Sequence, residues 1–347
     1  MNKGAPLKVL VFGAGAIGGY LGGSLAQRGH RVTFLEREHN ASVLRAEGLW
    51  LTAYGDTERI MDFDVQTSLA AALADSAFDV AFFALKSYDT AGAVEEMRPH
   101  AEGMPPVLCL QNGVDNEAAL AEVLGAEKLI SGTVTTAIDK PAAGQLVLER
   151  KRGVGLAGGH ELSKRLYAAF EDANLNPRLY ADAEAMKWSK LLANLIANAT
   201  SAILDMSPAE IFAHPGLFEI EMRALREALA VMDVLGLQVV DLPGLPTRAL
   251  AFTARRLPLG LSRPLLARFV GRGRGGKMPS LHIDLHTGRG RSEVGWLNGA
   301  VARHGERLGV ATPVNRTLAE TLEGLINNQA AESLRTETLL AKLGLPS

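Results

Sequence analysis

The sequence predicts an α/β fold whose first half holds a parallel, doubly wound sheet and whose second half is all helical. In the first half, short apolar runs alternate with helical segments. From Ala181 to Gly236, apolar residues recur at helical intervals and strand signals vanish. A chain of 347 residues with 47% hydrophobic content can build two cores. We therefore expect domains at 1–181 and 182–334, followed by a C-terminal tail at 335–347.

The expected strands of the first half are β-branched or aromatic runs separated by helical stretches. They are Val9–Phe12, Val32–Leu35, Val80–Leu85, Val107–Leu110 and Leu129–Thr136. Gln145–Leu148 and Val154–Leu156 follow without intervening helices, which predicts that the sheet finishes with antiparallel strands. In the second half, Leu242–Pro279 is rich in Pro, Gly and Arg, and we expect an irregular excursion there.

The first strand, a glycine-rich loop and a helix form the start of one βαβ unit. In the loop, Gly13 suits a tight turn, Gly15 allows backbone to approach a pyrophosphate, and Gly18 allows close packing of the helix on the sheet. An acid, Glu36, follows the second strand, as in dinucleotide-binding units. This context favours a Rossmann-type cofactor site over a glycine-rich turn without a ligand. The predicted cofactor-binding loop comprises Gly13, Ala14, Gly15, Ala16, Ile17 and Gly18.

Charge and cysteine content narrow the range of partners. The net charge is −2, from 36 basic and 38 acidic residues, whereas a nucleic-acid-binding or anionic-membrane-binding chain would normally carry a basic excess. The single cysteine, Cys109, excludes an intramolecular disulfide and fits a reducing compartment. We find neither a signal-peptide core nor a membrane span, and we expect a soluble, cytoplasmic protein.

Two groups of polar residues in the second half are candidates for chemistry. Lys190, Asn194 and Asn198 recur at i, i+4 and i+8, which predicts one polar stripe along a mostly buried helix. That stripe could make inter-domain hydrogen bonds or line a cleft, and the spacing alone leaves both open. In the second group, Ser280 lies one helical turn before Asp284. Glu293 could be a helix cap or a carboxylate that faces Lys190.

Two polar residues of the first half follow predicted strands directly. Lys86 and Asn112 stand at the carboxyl ends of parallel strands, where ligands of this architecture bind. The alternatives are an exposed cap for Lys86 and a plain turn for Asn112. The pair His282 and His286 has the i, i+4 spacing of zinc ligands, but the sequence offers no obvious third ligand, so we expect no metal.

These motifs, in this order, resemble the ketopantoate reductases (2-dehydropantoate 2-reductases) from Lys8 to about Leu334. The matching signatures are Gly13-x-Gly15-x-x-Gly18, Leu85-Lys86, Gln111-Asn112-Gly113, Lys190-x-x-x-Asn194-x-x-x-Asn198, Ser280-x-x-x-Asp284 and Glu293-x-x-x-x-Asn298-Gly299. The resemblance implies a Rossmann domain followed by an all-helical domain of the 6-phosphogluconate dehydrogenase-like type.

The resemblance also implies roles for individual residues. Lys190 would be the general acid and would contact substrate. Glu293 would orient Lys190 and lie near the cofactor. The implied substrate contacts are Asn112, Asn194, Asn198 and Ser280, with Ser280 on the substrate carboxylate.

The implied cofactor is NADP. Lys86 and Asn112 would lie beside the nicotinamide ribose, and Arg37 would bind the 2′-phosphate. NAD remains possible because Glu36 stands where NAD-specific folds hold the ribose hydroxyls.

The implied function is NADPH-dependent reduction of a 2-oxo acid, in particular of 2-dehydropantoate to pantoate in pantothenate biosynthesis. The partner would then be a small molecule, and the protein a monomer or homodimer. The alternatives are reduction of a different 2-oxo acid, another dehydrogenase reaction on the same two-domain plan, or a non-catalytic redox sensor that binds NAD(P)H. A sensor would not need the stripe of Lys190, Asn194 and Asn198.

Overall fold

The structure is a computed structural model that describes residues 5–274, 278–286, 290–327 and 334–346, with the backbone alone given for 268–274. Its internal contacts divide the chain into two compact units. The first comprises Met1–Lys187 and Leu242–Leu245, and the second comprises Trp188–Asp241 and Pro246–Ser347. The first unit thus extends six residues beyond the predicted boundary at residue 181, and it also includes the later segment Leu242–Leu245.

The first unit alternates strands with helices. Its strands are β1 (Lys8–Phe12), β2 (Arg31–Leu35), β3 (Leu49–Ala53), β4 (Asp56–Ile60), β5 (Asp64–Gln66), β6 (Val80–Phe83), β7 (Val107–Cys109), β8 (Leu129–Val134), β9 (Ala137–Ala142), β10 (Gln145–Arg150), β11 (Val154–Ala157) and β12 (Pro177–Tyr180). Its helices are α1 (Ala16–Ala26), α2 (Glu38–Glu47), α3 (Leu69–Asp75), α4 (Thr90–Met97), α5 (Asn116–Leu124) and α6 (Ser163–Asp172), with short 3₁₀ turns at Ser87–Asp89, Arg98–His100 and Ala126–Lys128. Helix α7 (Ala183–Leu195) contains the boundary between the two units.

The main sheet confirms the predicted parallel, doubly wound architecture. Its eight strands are ordered β12-β11-β8-β7-β6-β1-β2-β5. Strands β2 and β5 are added on one side of β1 and the later strands on the other side, so the order of strand addition reverses at β1. Side chains of β1 alternate between two apolar layers: Val9 and Val11 pack on one face, and Leu10 and Phe12 pack on the other. A strand covered on both faces needs apolar residues at every position, which explains its unbroken apolar run.

The sheet ends partly as predicted. Strand β11 pairs antiparallel with β8, but β12 then pairs parallel with β11. The expectation that residues 145–148 extend this sheet is wrong. Strand β10 belongs to a separate sheet of order β4-β3-β10-β9, where it runs parallel to β3 and antiparallel to β9. Local patterning does not reveal a pairing between residues so distant in the chain.

In its described residues, the second unit consists of the C-terminal part of α7 and the helices that follow it. They are α8 (Ala199–Leu204), α9 (Pro208–Ala213), α10 (Pro215–Val234), α11 (Thr247–Arg256), α12 (Leu259–Arg274), α13 (Ser280–His286), α14 (Asn298–Leu308), α15 (Pro313–Asn327) and α16 (Thr336–Lys342), with a 3₁₀ turn at Val294–Trp296. Helix α16 buries Leu339 and Leu340, so the segment expected as a tail carries a packed helix.

The expected irregular excursion at Leu242–Pro279 is wrong for most of its length, because α11 and α12 occupy it. Helix α11 buries Leu250, Ala251 and Ala254 on one face and exposes Arg255 and Arg256, so its arginines belong to the solvent face of an amphipathic helix. Pro258 directly precedes α12, and its carbonyl accepts the amides of Leu261 and Ser262. Across the described residues, no helix is both long and apolar enough to cross a membrane.

Candidate functional site

The glycine loop after β1 is held in place by the close approach of α1. Gly13 has φ +84°, a left-handed conformation that glycine adopts readily. A Cβ on Gly18 would lie 2.1 Å from the Gly13 carbonyl oxygen, so any larger residue there would push the helix away. A Cβ on Gly15, by contrast, would meet no described heavy atom within 4 Å. Packing within the described chain therefore does not account for Gly15, whereas a bound group at this position would.

The start of α1 is suited to an anion. No acidic residue lies in its first turn, and the unpaired N–H groups of a helix N-terminus attract anions. Close by, the Glu36 carboxylate accepts a hydrogen bond from the Ala14 amide at 2.6 Å. It also accepts one from the Asn40 side chain at 3.0 Å and one from the Arg37 amide at 3.2 Å. The loop and the end of β2 thus form one connected surface.

Arg37 begins α2 as its N-cap residue. Its side chain is 88% exposed and lies 3.9 Å from the Asp89 carboxylate, so this ion pair is weak. The guanidinium is therefore accessible to a solvent-borne anion near the loop after β2.

The loops after β6 and β7 are joined by hydrogen bonds. The backbone carbonyl of Asn112 accepts from Ser87 Oγ at 3.2 Å and from Asn116 Nδ2 at 2.7 Å. Gln111 Nε2 donates to the Leu85 carbonyl at 3.0 Å and to Thr90 Oγ1 at 2.9 Å. Lys86 and Asn112, the predicted residues of these loops, are both half-buried. Each loop is therefore part of a shared polar network.

A buried ion pair supports this network. Lys187 is 5% exposed, and its Nζ lies 2.8 Å from Glu117 Oε1. It also donates to the backbone carbonyls of Gln111 at 2.7 Å and Gly132 at 3.4 Å. Burial alone would lower the pKa of Lys187, but the Glu117 carboxylate outweighs it, and the pKa is raised above the ordinary value. Sequence reasoning missed this pair, because its partners come from distant segments.

The predicted polar stripe of the second unit is interrupted. Lys190 and Asn194 lie one turn apart on α7 and are half-buried, whereas Leu191 and Leu192 are fully buried. The helix ends at Leu195, so the expectation that Asn198 continues the same helix is wrong.

The interruption is fixed by a buried acid that the sequence reasoning also missed. Ala197 has φ +48°, a left-handed conformation that strains an alanine. The Glu221 carboxylate, 2% exposed, accepts from the Ala197 amide at 2.6 Å and from the Thr200 hydroxyl. A buried carboxylate must find donors, and here the turn between α7 and α8 supplies them.

The Asn198 carboxamide connects two other predicted substrate residues, Asn194 and Ser280. Its Nδ2 donates to the Asn194 carbonyl at 2.9 Å and to Ser280 Oγ at 3.4 Å, and its Oδ1 accepts from the Leu281 amide at 3.0 Å. Asn198 is 3% exposed, whereas Ser280 is exposed. Asn198 thus fixes the start of α13 and the position of the Ser280 hydroxyl.

Glu293 is buried, at 2% exposure, although it is a carboxylate. It precedes the 3₁₀ turn Val294–Trp296, and within the described structure its side chain makes no capping hydrogen bond to that turn. Glu293 therefore stands at the N-cap position of this turn without capping it through its side chain. Asp284 is also buried, at 1% exposure.

An α/β unit with a glycine-rich loop, followed by a helical unit that presents Lys190 and Asn194 on one face, is typical of oxidoreductases that use a dinucleotide cofactor. The family model described as "Ketopantoate reductase PanE/ApbA" matches residues 9–157, and that described as "Ketopantoate reductase PanE/ApbA C terminal" matches residues 182–325. The chain belongs to the ketopantoate reductase family, and it is an oxidoreductase of the kind that acts on CH–OH donors.

Individual relatives are similar over nearly the whole chain. The 2-dehydropantoate 2-reductase of Halobacterium salinarum is 30% identical over 324 residues, which cover 90% of this chain and 97% of the relative. A PanE/ApbA family ketopantoate reductase from Ralstonia eutropha JMP134 has a TM-score of 0.78 at 26% identity, covering 94% of this chain and 100% of the other. D-mandelate dehydrogenase in a ternary structure with NADH and anilino(oxo)acetate has a TM-score of 0.77 at 19% identity, with coverage of 94% and 100%, and so shares the fold.

The Lys187–Glu117 pair generates a stability prediction. Glu117→Gln should lower the free energy of unfolding by about 3–5 kcal/mol, because it leaves a buried ammonium without its counter-charge. Urea denaturation measures the loss. Glu122→Gln, an exposed acid on the same helix, should change stability by less than about 0.5 kcal/mol. The double variant Glu117→Leu with Lys187→Met should recover only part of the loss, because it removes the unpaired charge but also removes the donor to the Gln111 and Gly132 carbonyls. Equal losses in Glu117→Gln and the control would contradict the role of the pair.

The glycine loop generates a second prediction. Gly15→Ala should leave the unfolding midpoint nearly unchanged, because the added methyl group meets no protein atom. It should weaken dinucleotide binding, because the methyl group would occupy the space where the pyrophosphate approaches the backbone. Gly18→Ala should cost about 1–3 kcal/mol of stability, because its methyl group would overlap the Gly13 carbonyl. Thermal denaturation and fluorescence titration with NADPH separate the two effects. Unchanged NADPH binding by Gly15→Ala would argue against a cofactor at this loop.

Proposed function

We propose that the protein reduces a 2-oxo acid, specifically ketopantoate to pantoate, with NADPH as reductant and Lys190 as general acid. The observation that supports it most is the face formed by Lys190 and Asn194, with Asn198 linking Asn194 to Ser280 through hydrogen bonds. A cation beside amide and hydroxyl groups suits a substrate that carries a ketone and a carboxylate. Relatives at 22–30% identity that bear the name 2-dehydropantoate 2-reductase support the particular substrate.

In this proposal the reaction needs a proton donor at the ketone oxygen. A reduced nicotinamide held at the glycine loop would supply the hydride that adds to the ketone carbon. The Lys190 ammonium donates a hydrogen bond to the ketone oxygen, stabilises the negative charge that develops there, and transfers a proton to it. The Ser280 hydroxyl and the Asn194 amide bind the substrate carboxylate and hydroxyl groups. Glu293 keeps Lys190 protonated and oriented.

The residues around the glycine loop are consistent with a dinucleotide. The loop and the N-terminus of α1 would hold the pyrophosphate, and Lys86 and Asn112 would lie beside the nicotinamide ribose. We assign the 2′-phosphate of NADPH to Arg37, whose guanidinium is exposed and only weakly paired. NADH is the second candidate, because Glu36 stands where NAD-specific folds hold the ribose hydroxyls. To bind them, its carboxylate would exchange some of the three hydrogen bonds that it accepts from neighbouring groups.

Two alternatives lead to different outcomes in solution. A reductase of another 2-oxo acid would turn over, but with a different best substrate. A redox sensor would bind the dinucleotide tightly and show no turnover with any substrate. The polar face of α7 argues against a sensor, because sensing requires no proton donor.

The role of Lys190 predicts a large and selective loss of turnover. Lys190→Ala should lower kcat by about 10²- to 10⁴-fold, the range for loss of a general acid, while the Kd for NADPH stays unchanged. The assay follows NADPH and, separately, NADH oxidation against a panel of 2-oxo acids that includes ketopantoate. Lys164→Ala, an exposed lysine of the first unit, is the matched control and should keep full activity. Near-normal turnover by a folded Lys190→Ala would exclude Lys190 as the proton donor.

The role of Arg37 predicts a change in cofactor preference. Arg37→Ala should raise the KM for NADPH by about 10- to 100-fold, equivalent to one charge-assisted hydrogen bond of about 1.5–3 kcal/mol, and leave the KM for NADH unchanged. Steady-state kinetics with each dinucleotide at saturating substrate test it. If the wild-type protein prefers NADH and Arg37→Ala alters neither KM, the NADPH assignment fails and the Glu36 alternative stands.

A further inference from the structure

A cluster of three side chains of metal-binding type lies in the second unit and uses none of the residues assigned above. His282 and His286 project from one side of α13, and their rings stack with centroids 4.1 Å apart. Asp205 follows α8 and faces both of them. Its Oδ1 lies 2.6 Å from His282 Nε2 and 3.8 Å from His286 Nε2. The sequence spacing identified the two histidines but could not supply the aspartate.

The three groups have the chemistry of a zinc site. Zinc binds His nitrogen and Asp oxygen at about 2.0–2.2 Å, and open sites combine three protein ligands with a water. Two ligand atoms around one tetrahedral ion are then about 3.4 Å apart. The candidate ligand atoms all lie within 4.8 Å of one another. Modest side-chain rotations would therefore bring them into a single coordination sphere.

The site is accessible, and its backbone is fixed. The side chains of Asp205, His282 and His286 are 55%, 12% and 33% exposed, so an ion can enter from solvent. Asp205 adopts a left-handed conformation with φ +53°, which aspartate tolerates better than most residues. The Asn198–Leu281 hydrogen bond holds the start of α13 near α8, and thereby keeps the histidines near Asp205.

We propose that Asp205, His282 and His286 form a zinc-binding site that fastens α13 to the end of α8. The ion would add a second connection between two helices that Asn198 already joins. It would replace the hydrogen bond between His282 and Asp205 and the contact of His286 Nε2 with the Ala202 carbonyl, which is 3.4 Å long. Because Ser280 begins α13, zinc would rigidify the helix that carries this hydroxyl. The proposal stands independently of the reductase activity.

The test measures zinc binding by isothermal titration calorimetry on tag-free protein previously treated with EDTA. We expect one Zn²⁺ per chain in the wild type, and affinity reduced by about tenfold or more in His282→Gln, His286→Gln and Asp205→Asn, because each variant removes one of three ligands. His39→Gln, an exposed histidine of the first unit, should bind like the wild type. A Zn²⁺ concentration that just saturates the wild type should raise its melting temperature by more than it raises that of any of the three variants.

Cobalt provides an independent readout of the ligand set. Co²⁺ bound to the wild type should show the visible absorption of a tetrahedral ion, and His286→Gln should abolish it. Absence of zinc binding by the wild type, or equal zinc affinity in the wild type and the three variants, would overturn the proposal. Neither result depends on turnover, so failure of the zinc site and failure of the proposed reductase reaction are separable.

Discussion

Buried polar side chains that must find partners are the constraint on which the candidate sites depend. In each unit, a side chain that cannot reach bulk water bonds instead to the backbone of a loop and thereby fixes that loop. Lys187 does so for the Gln111 loop, and Glu221 for the turn at Ala197. Asn198 does so for the first turn of α13. The conformations of the segments that carry the proposed ligand-binding residues are therefore fixed by hydrogen bonds from buried side chains.

This arrangement separates two kinds of residue that look alike in the sequence. Lys187 and Lys190 are one turn apart on α7, yet Lys187 is closed in by a carboxylate and two carbonyl groups while Lys190 is half-buried. Asn194 and Asn198 differ in the same way, since Asn198 is 3% exposed and bonds to three neighbouring groups. A residue next to one proposed to act on substrate can thus hold the backbone in place, and the two kinds of residue differ in burial.

The sequence predicted those features that local patterns encode. The strands of the main sheet, the glycine loop and the helical second half follow from runs and periods within short windows. The second sheet was missed because β10 pairs with β3 across most of the first unit. Strand β4 shows mostly exposed residues, so it carries no apolar run to recognise. The helices between Leu242 and Pro279 were missed because the segment is rich in arginine, glycine and proline, which are typical of loops. Its apolar residues form only a short helical pattern. At the site, residue types pointed to Lys190 and Ser280, but not to Glu117, Glu221 or Asp205, whose partners lie far away in the chain.

The return of Leu242–Leu245 to the first unit has a consequence for how such proteins can be recombined. The Thr135 hydroxyl donates a hydrogen bond to the Pro243 carbonyl at 2.7 Å, and the absence of a side chain at Gly153 leaves room for the Pro243 ring. The first unit is therefore encoded by two separate stretches of gene, and one of them lies inside the coding region of the second. A chimera with a single crossover in α7 would combine the sheet of one parent with residues 242–245 of the other. Both segments come from the same parent only if residues 242–245 are exchanged together with the first unit.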